Sequence, residues 1–323
     1  MSNTLISDLL LELAKQREED GDNWRARSMK KAAFAIKKYP DVIESGADAV
    51  KNIKGVGKGV AKRIDEILEN GYLLELKLDD SKIQKKNAIK QLLTVTGIGP
   101  TRAKKYVNEM NITSIDDLKS QSQLGKVKLT HHIEMGLKYY DDLEHRIPFD
   151  EILQFKSLYQ AIFSEISDNI IWDVCGSHRR GQPTSGDMDV LFTLKNRSSK
   201  DKKNYLKLAV KSMKKANILV DDLTITGSTK YMGFCKLSEE MLSRRIDIRY
   251  VPYKSYYTAL LYFTGSKKFN VDMRNIAIAK GYSLSEYSMT NTETGEEIMF
   301  NSEKEIFDLL DMTYCLPHDR NEE

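Results

Sequence analysis

Apolar residues up to about Tyr140 recur at the spacing of amphipathic helices. The first stripe consists of Leu5, Leu9, Leu10 and Leu13. The second stripe consists of Ala32, Ala33, Ile36 and Tyr39. Pro40 follows the second stripe directly, and because proline cannot continue a helix we expect the helix to end there. The pattern predicts that this part of the chain is all-α.

The pattern changes after Arg146-Ile147-Pro148. A helical stretch over residues 152–166 leads into alternating segments rich in β-branched residues, which are typical of strands. The predicted strands are residues 170–174, 189–194 and 246–251. Because loops and helices separate these strands, the second half is predicted to be α+β. The charged segment 195–203 is predicted to be an exposed loop, with a nuclear-targeting role as the alternative.

A short motif occurs twice in the helical half, at Gly55-Val56-Gly57 and at Gly97-Ile98-Gly99. Each turn is followed by basic residues of an amphipathic helix, which are Lys58, Lys62 and Arg63 in the first copy and Arg102, Lys104 and Lys105 in the second. A Gly-x-Gly turn at a helix N-terminus presents backbone N–H groups that bind phosphate oxygens without reading a base. One copy would be weak evidence, but two copies favour helix-hairpin-helix motifs that grip a duplex backbone.

Two acidic residues, Asp187 and Asp189, follow Gly176-Ser177 and a basic turn. Side chains two apart on a strand point to the same face, so these carboxylates are predicted to lie together. Neighbouring carboxylates repel each other unless a cation compensates them, and Mg²⁺ prefers such oxygen ligands together with substrate phosphates. Two ions ~3.5–4 Å apart would stabilise the attacking and leaving oxygens of an in-line displacement. A solvated loop is the alternative for an isolated Asp-x-Asp.

A third acid, Asp247, lies in a segment of alternating charged and apolar residues. Strand alternation puts Arg245, Asp247 and Arg249 on one face and buries Ile246 and Ile248 behind them. Asp247 is therefore a candidate ligand for the ion beside an attacking hydroxyl. Ser177 and Arg180 are candidates for binding a triphosphate, since the planar guanidinium grips phosphate oxygens in pairs.

Bulk composition limits the class of protein. A chain of 323 residues predicts two or three structural units, and 41% apolar with 30% charged residues is an ordinary balance for a protein with a core. No segment approaches the ~20 apolar residues of a membrane span. Cys175, Cys235 and Cys315 lack Cys-x-x-Cys spacing, which argues against a disulfide framework or a zinc site. We expect a soluble, intracellular protein.

The net charge of +3 is uninformative, but its distribution is not. From Asn23 to Arg63 there are eleven Lys or Arg residues and three acidic ones. Such a block can neutralise phosphates and release counterions, which favours nucleic-acid binding. A solvated helix face is the alternative, and the glycine turns favour the nucleic-acid interpretation.

These motifs resemble those of the family X DNA polymerases, in their compact, polymerase β-like form without a BRCT domain. The resemblance extends from the first glycine turn to Asp319-Arg320 and is most specific over residues 175–190, 244–249 and 262–274. It implies a multidomain α+β fold, with an all-α N-terminal half, a nucleotidyltransferase palm with a mixed β-sheet and a small α/β C-terminal subdomain. The implied divisions are a lyase-like helical domain (1–80), a DNA-binding helical subdomain (81–144), a catalytic palm (145–251) and a subdomain for the nascent base pair (252–323).

The resemblance also implies roles for individual residues. Asp187, Asp189 and Asp247 would bind two Mg²⁺ or Mn²⁺ ions. Contacts to the incoming dNTP are implied for Arg146, Ser177, Arg180, Gly186, Tyr262, Phe263, Gly265 and Asn270. DNA contacts are implied for Gly55, Gly57, Gly97, Gly99, Lys230, Arg245 and Arg274. A monovalent cation, Na⁺ or K⁺, would bind the carbonyls of Lys51, Ile53 and Val56 in the first hairpin and of Leu93, Val95 and Ile98 in the second.

Several positions depart from the family pattern. Lys267 replaces an acid and Val271 replaces a lysine, which would alter contacts to the nucleotide and the template base. The nucleophilic lysine of the family's 5′-deoxyribose-phosphate lyase falls on Arg63, whose guanidinium stays protonated and cannot attack an aldehyde. Other pocket positions of the lyase fall on Arg25, Met29, Gly59 and Glu75. We expect weak or absent lyase activity, with Lys62 or Lys58 as the nearby substitutes.

The favoured function is template-directed filling of short gaps in base-excision-type DNA repair. The expected partners are gapped or nicked duplex DNA and dNTPs. We expect the protein to act as a monomer and not to bind a membrane. Whether it also binds other repair proteins is left open. The site of action stays open between the nucleus and a viral or cytoplasmic site of DNA replication. An untemplated nucleotidyltransferase and a DNA-binding scaffold without catalysis are the alternatives. The Tyr262-Phe263 pair argues against the first, and three intact acids argue against the second.

Overall fold

The computed structural model describes residues 3–76, 80–198 and 201–321. Contacts within the chain divide it into two compact units. The first unit consists of Met1–Lys90 with Lys104–Thr113, and the second consists of Gln91–Ala103 with Ser114–Glu323. The fold class predicted from the sequence is confirmed, because helices precede a palm with a mixed sheet.

Helices make up the regular structure of the described chain as far as Glu144. The α-helices are α1 (Asn3–Glu19), α2 (Asn23–Lys38), α3 (Gly46–Asn52), α4 (Lys58–Asn70), α5 (Asp80–Leu92), α6 (Pro100–Glu109), α7 (Ile115–Gln123), α8 (His131–Lys138) and α9 (Tyr140–Glu144). A 3₁₀ turn covers Leu74–Leu76. Helix α2 ends before Pro40 as predicted: Tyr39 is extended, since the proline ring disfavours a helical conformation in the residue before it.

The predicted apolar stripes contribute to the core of the first unit. Five of their members are fully buried there, namely Leu10, Leu13, Ala32, Ala33 and Ile36. Ile6, which is one helical turn before Leu10, is also buried, whereas Leu5 and Leu9 are only half-buried. The prediction of a helix with one buried apolar face is therefore correct, but the buried face is centred on Ile6, Leu10 and Leu13 and not on Leu5 and Leu9.

The palm is a five-stranded sheet with order β2-β4-β7-β6-β5. Its elements are β1 (Ile147–Pro148), α10 (Phe149–Ile166), β2 (Ile170–Val174), α11 (Gly176–Arg179), β3 (Thr184–Ser185), β4 (Met188–Leu194), α12 (Tyr205–Lys215), β5 (Leu219–Asp222), β6 (Lys230–Cys235) and β7 (Arg244–Tyr250). Strands β4 and β7 are parallel and the other neighbours antiparallel, while β1 and β3 form a separate small sheet. One face of the large sheet packs against α10 and α12.

A buried ion pair joins α10 to the beginning of β7. Both carboxylate oxygens of Glu151 accept hydrogen bonds from Arg244 at 2.7 Å, and Arg244 also donates to the His145 carbonyl. Their side chains are 7% and 6% exposed. The two buried charges therefore neutralise each other through a bidentate contact. Removing one partner of such a pair lowers the free energy of unfolding by about 3–5 kcal/mol.

The C-terminal subdomain packs helices against a small antiparallel sheet with order β10-β9-β8. Its elements are a 3₁₀ turn (Tyr253–Ser255), α13 (Tyr256–Thr264), α14 (Lys267–Ala279), β8 (Tyr282–Leu284), β9 (Met289–Asn291), β10 (Glu297–Ile298), α15 (Glu303–Leu309) and a final 3₁₀ turn (Pro317–Asp319). Glu303 at the start of α15 accepts from Arg179 of the palm and from Arg320, so this buried carboxylate ties the two parts together.

Candidate active site

Two of the candidate carboxylates are direct neighbours across the sheet. Asp189 on β4 and Asp247 on β7 are register partners in the parallel pair and therefore share a face. Asp187, which strand alternation predicts to lie on the same strand as Asp189, instead precedes β4, because this strand begins at Met188. On the opposite face Met188, Ile246 and Ile248 are fully buried. Opposed like charges across strands are unfavourable, and here the apolar face behind them holds the strands in this register.

The pKa values of the carboxyl groups are raised by this crowding. Burial, and then the charges of Asp187 and Asp247, raise the pKa of Asp189 to about 7. Desolvation of its carboxyl group and the charge of Asp247 also raise the pKa of Asp187. The residue as a whole is nevertheless exposed. A site that penalises carboxylate charge in this way favours either protons or a cation.

Basic residues of the same face partly compensate the third carboxylate. Arg245 donates to Asp247 at 2.6 Å, and the Lys230 amine lies 3.9 Å from its other oxygen. Among the described residues no group of three His, Cys, Asp or Glu side chains is arranged closely enough to hold a metal ion by itself. The donor set nevertheless fits Mg²⁺ or Mn²⁺, because all three groups are hard oxygen ligands and two have raised pKa values.

A glycine turn brings backbone close to these carboxylates. Gly176 has φ +61°, and a Cβ there would approach a carboxylate oxygen of Asp189 to 3.4 Å. The Cys175 amide donates to the Asp189 carbonyl at 2.7 Å. The Ser177 and Ser185 hydroxyls are 2.8 Å apart, which joins this turn to the strand that precedes Asp187. The predicted Gly-Ser motif therefore lies directly beside the acids.

A cavity of about 530 Å³ opens next to this turn. Its lining contains four cationic side chains and no acidic one. The lining residues are Arg146, Ser177, Arg180, Gln182, Tyr262, Phe263, Thr264, Gly265, Ser266, Lys267, Asn270, Arg274 and Asn321. Such a cavity fits a polyanionic ligand with an aromatic part.

Two of the arginines are fixed by neighbouring oxygens. Arg146 donates to the Thr184 hydroxyl at 2.7 Å and to the Thr184 carbonyl at 2.9 Å, and it lies next to Gly186, where a Cβ would be 3.8 Å from the guanidinium. Arg180 donates to the Thr264 carbonyl at 2.6 Å and to the Asn321 side chain at 2.9 Å. Sequence reasoning missed Asn321, which lies far along the chain in a segment without a motif.

The aromatic pair at the end of α13 forms one side of the cavity. The rings of Tyr262 and Phe263 meet edge to face at 5.1 Å. The Asn270 side chain donates to the Tyr262 carbonyl at 2.7 Å, and the Arg274 guanidinium lies 5.7 Å from the Tyr262 ring. All the candidate dNTP residues except Gly186 line the cavity, and Gly186 adjoins it through Arg146.

The two glycine turns have the same local geometry. Gly55 and Gly97 adopt positive φ, +103° and +92°. In the first turn the Val56 amide donates to the Ile53 carbonyl at 3.2 Å, and in the second the Ile98 amide donates to the Val95 carbonyl at 3.0 Å. A Cβ on Gly57 or Gly99 would meet nothing within 4 Å, so the start of the following helix, α4 or α6, is open to a ligand.

Arg63, at the lyase position, is engaged in an ion pair. Its guanidinium lies 2.7 Å from Glu75, which also accepts from Arg17 at 2.7 Å. Although burial opposes its charge, hydrogen bonds from Arg63 and Arg17 lower the pKa of Glu75. Met29 is buried in the core, and Lys58 and Lys62 are exposed on α4. This arrangement offers no amine at the position of Arg63.

Models of known families match successive segments of the chain. A helix-hairpin-helix domain matches residues 1–73, and the fingers domain of DNA polymerase lambda matches residues 90–144. The DNA polymerase beta palm matches residues 146–253, and the DNA polymerase beta thumb matches residues 259–321. These matches define the class, in which helix-hairpin-helix segments are joined to a polymerase β-type palm and thumb.

Individual curated proteins are similar to the chain over nearly its whole length. The chain is 32% identical to DNA polymerase lambda of Rattus norvegicus and 31% identical to that of Arabidopsis thaliana, over 99% of its own length in both. It is 26% identical over 94% of its length to the DNA polymerase/3′-5′ exonuclease PolX of Bacillus subtilis. These matches and relatives are consistent with a compact DNA polymerase of family X. It spans 56%, 62% and 52% of the lengths of these three relatives.

None of the helices in the described part of the chain combines the length and the apolar character that crossing a membrane demands.

The raised pKa of Asp189 predicts how stability depends on pH. The pKa of Asp189 is about 7 in the folded protein and 3.8 ordinarily, so ionising this carboxyl destabilises the folded protein. This destabilisation is absent below about pH 4, grows as the pH rises, and is complete above about pH 7. In metal-free buffer at pH 8, Asp189→Asn should be more stable than the wild type by on the order of 3 kcal/mol. Thermal unfolding from pH 5 to pH 8 measures this difference, which should shrink towards the acid end.

The matched control is Asp308→Asn, which removes an exposed carboxylate and should change stability by no more than about 0.5 kcal/mol at either pH. Mg²⁺ should raise the unfolding temperature of the wild type and leave that of Asp189→Asn nearly unchanged. Equal stabilities of wild type and Asp189→Asn at pH 8 would contradict the crowded-carboxylate description.

Proposed function

We propose that this chain is a template-directed DNA polymerase that fills short gaps during base-excision-type DNA repair. It would transfer a nucleotide from a dNTP to the 3′-hydroxyl of a primer. The observation that carries the proposal is the pairing of Asp189 with Asp247 beside a cationic cavity. The matches to a polymerase β palm and thumb support the same activity, as do the names of the relatives.

The chain's own residues would divide the work between charge and position. Asp187, Asp189 and Asp247 would hold two Mg²⁺ or Mn²⁺ ions, which when bound stabilise the attacking and leaving oxygens of the displacement. Arg146 and Arg180 would neutralise the triphosphate, with Ser177 donating a hydrogen bond to it and Gly186 leaving room for it. Because both guanidiniums are already fixed by protein oxygens, little further ordering is needed when the nucleotide binds.

The aromatic pair supports a templated reaction. Tyr262, Phe263 and Gly265 would pack against the sugar of the dNTP, and Asn270 would meet the minor-groove edge of its base. Asn270 is held towards the cavity by its bond to the Tyr262 carbonyl. Lys230, Arg245 and Arg274 would contact the DNA strands. An untemplated nucleotidyltransferase would need neither the template contact nor paired glycine turns.

The glycine turns support a grip on duplex DNA. The open starts of α4 and α6, after Gly57 and Gly99, would bind backbone phosphates without sequence preference. A Na⁺ or K⁺ ion would sit at each turn on the carbonyls of Lys51, Ile53 and Val56, and of Leu93, Val95 and Ile98. The Ile53 and Val95 carbonyls each accept one amide already, and a carbonyl oxygen has a second lone pair for a cation.

The remaining assignments follow from the same proposal. The functional divisions would be residues 1–80, 81–144, 145–251 and 252–323. The partners would be gapped or nicked duplex DNA and dNTPs, bound by a monomer. The names of the lambda relatives favour a nuclear repair role over a viral or cytoplasmic site of replication.

Primer extension tests the polymerase activity. We expect the wild type with Mg²⁺ to fill a one-nucleotide gap faster than it extends an open template. Asp247→Ala should lower kcat by at least about a thousandfold, since it removes a ligand needed in the transition state. Asp222→Ala is a control in the same sheet and should retain activity, because Asp222 is in register with Gly233 and, through it, with Ile246 on the face opposite the carboxylates. Unchanged incorporation by Asp247→Ala would refute the proposal, and extension of a single strand without template would favour the alternative.

The lyase position supports a second, negative assignment. We expect little or no trapping of the chain on incised abasic DNA by borohydride, because Arg63 offers no free amine and is held by Glu75. Arg63→Lys combined with Glu75→Gln should gain trapping, since it supplies an amine without a carboxylate that keeps it protonated. Efficient trapping by the wild type that disappears in Lys62→Ala would contradict this assignment.

A further inference from the structure

A small apolar cluster joins the helical DNA-binding part of the second unit to the palm. Its buried members are Tyr139, Leu223 and Phe234, surrounded by Met135, Leu143, Val220 and Met232. Tyr139 directly follows α8, and Phe234 lies on β6. The cluster lines none of the nucleotide cavity, so the chemistry described above assigns it no role.

The two aromatic rings of the cluster are in stacking contact. The ring centroids of Tyr139 and Phe234 lie 4.3 Å apart at an interplanar angle of 26°. The Tyr139 hydroxyl donates to the carboxylate of Asp221, which Lys138 also contacts. Although burial opposes it, these two hydrogen bonds lower the pKa of Asp221, so the anion anchors the outer end of the tyrosine.

Phe234 in turn touches the residue that binds Asp247. Phe234 and Arg245 are register partners in the antiparallel pair of β6 and β7, and therefore share a face. The Arg245 guanidinium lies 5.9 Å from the Phe234 centroid, within the range of a cation–π contact. The same guanidinium donates to Asp247 at 2.6 Å and to the Gly233 carbonyl at 3.4 Å. The arginine is thus held between an aromatic ring and the carboxylate.

The other end of the chain of contacts reaches the second glycine turn. A Cβ on Gly136 in α8 would lie 2.2 Å from the Thr96 carbonyl oxygen, and a Cβ on Gly97 would lie 3.0 Å from the backbone of His132. Helix α8 therefore packs directly on the turn that is proposed to bind a DNA phosphate. Tyr139 is the next residue after this helix.

We propose that Tyr139 and Phe234 are positioning residues that orient Arg245 and, through it, Asp247. The proposal rests on the proposed polymerase function. It makes the geometry of one catalytic carboxylate depend on a residue contributed by the helical DNA-binding part of the chain. Loss of either ring lets the guanidinium leave Asp247, while the nucleotide cavity keeps all its lining residues.

Steady-state kinetics on gapped DNA test the proposal. Phe234→Leu and Tyr139→Leu should each lower kcat about tenfold, since small misplacements of catalytic groups are costly. The KM for the dNTP should stay within about twofold, because neither ring lines the cavity. The double variant should be no slower than the single ones, since both act through one contact. Tyr139→Phe keeps the stacked ring and should restore kcat to within about twofold of the wild type.

The matched control is Phe163→Leu. Phe163 is 1% exposed and contacts Phe192 and Trp172 in the palm core, behind the sheet and away from Arg245. This control should lower the unfolding temperature and leave kcat within about twofold. An equal loss of kcat in Phe163→Leu would show a general loss of packing and would overturn the proposal.

Crystallography gives a result that does not depend on activity. In Phe234→Leu we expect Arg245 to turn away from Asp247, and an unchanged Arg245–Asp247 contact would overturn the inference. If the wild type incorporates no nucleotide, the proposed function fails, whereas this structural comparison still decides whether the ring orients the arginine.

Discussion

Repulsion between carboxylates held opposite each other in a parallel strand pair is the constraint on which the site depends. Asp189 and Asp247 are register partners, and burial together with neighbouring charge raises the pKa of Asp189 to about 7. A sheet would lose this arrangement by a shift of one residue, which would turn the acids to the other face. The buried Ile246 and Ile248 prevent that shift because it would expose them.

The same constraint explains the distribution of cations around the acids. Arg245 and Lys230 compensate Asp247, while Asp189 forms no ion pair with any residue in the part of the chain that the structure describes. The uncompensated negative charge therefore belongs to Asp189 on β4, next to the glycine turn and the cavity lined by Arg146 and Arg180. This asymmetry suits a ligand that brings metal ions and phosphates together, since phosphates need the arginines and the ions need the carboxylates.

Local patterns carried much of the prediction. Alternation in the β7 segment predicted the shared face of Arg245 and Asp247, and the repeated Gly-x-Gly motif with its following basic residues predicted the two glycine turns. Strand limits were less accurate: β7 begins at Arg244, whose charge suggests exposure although it is buried against Glu151. A single sequence does not reveal that compensation, because the partner lies on a distant helix.

Contacts between remote segments were beyond sequence reasoning. The bond of Arg180 to Asn321 joins residues separated by 141 positions, and neither residue type in isolation indicates the other. The stack of Tyr139 on Phe234 is a similar case, since aromatic residues at those positions predict only packing. Such pairs follow from the way the elements pack, which periodicity and motifs do not encode.

The central claim is that Asp187, Asp189 and Asp247 together form one divalent-metal site. The most direct measurement is anomalous diffraction from crystals of the chain with one-nucleotide-gapped DNA, a non-hydrolysable dNTP and Mn²⁺. We predict manganese peaks within coordination distance of all three carboxylates and of the nucleotide phosphates. Manganese bound elsewhere, or bound to the phosphates without contact to Asp189 and Asp247, would contradict the claim.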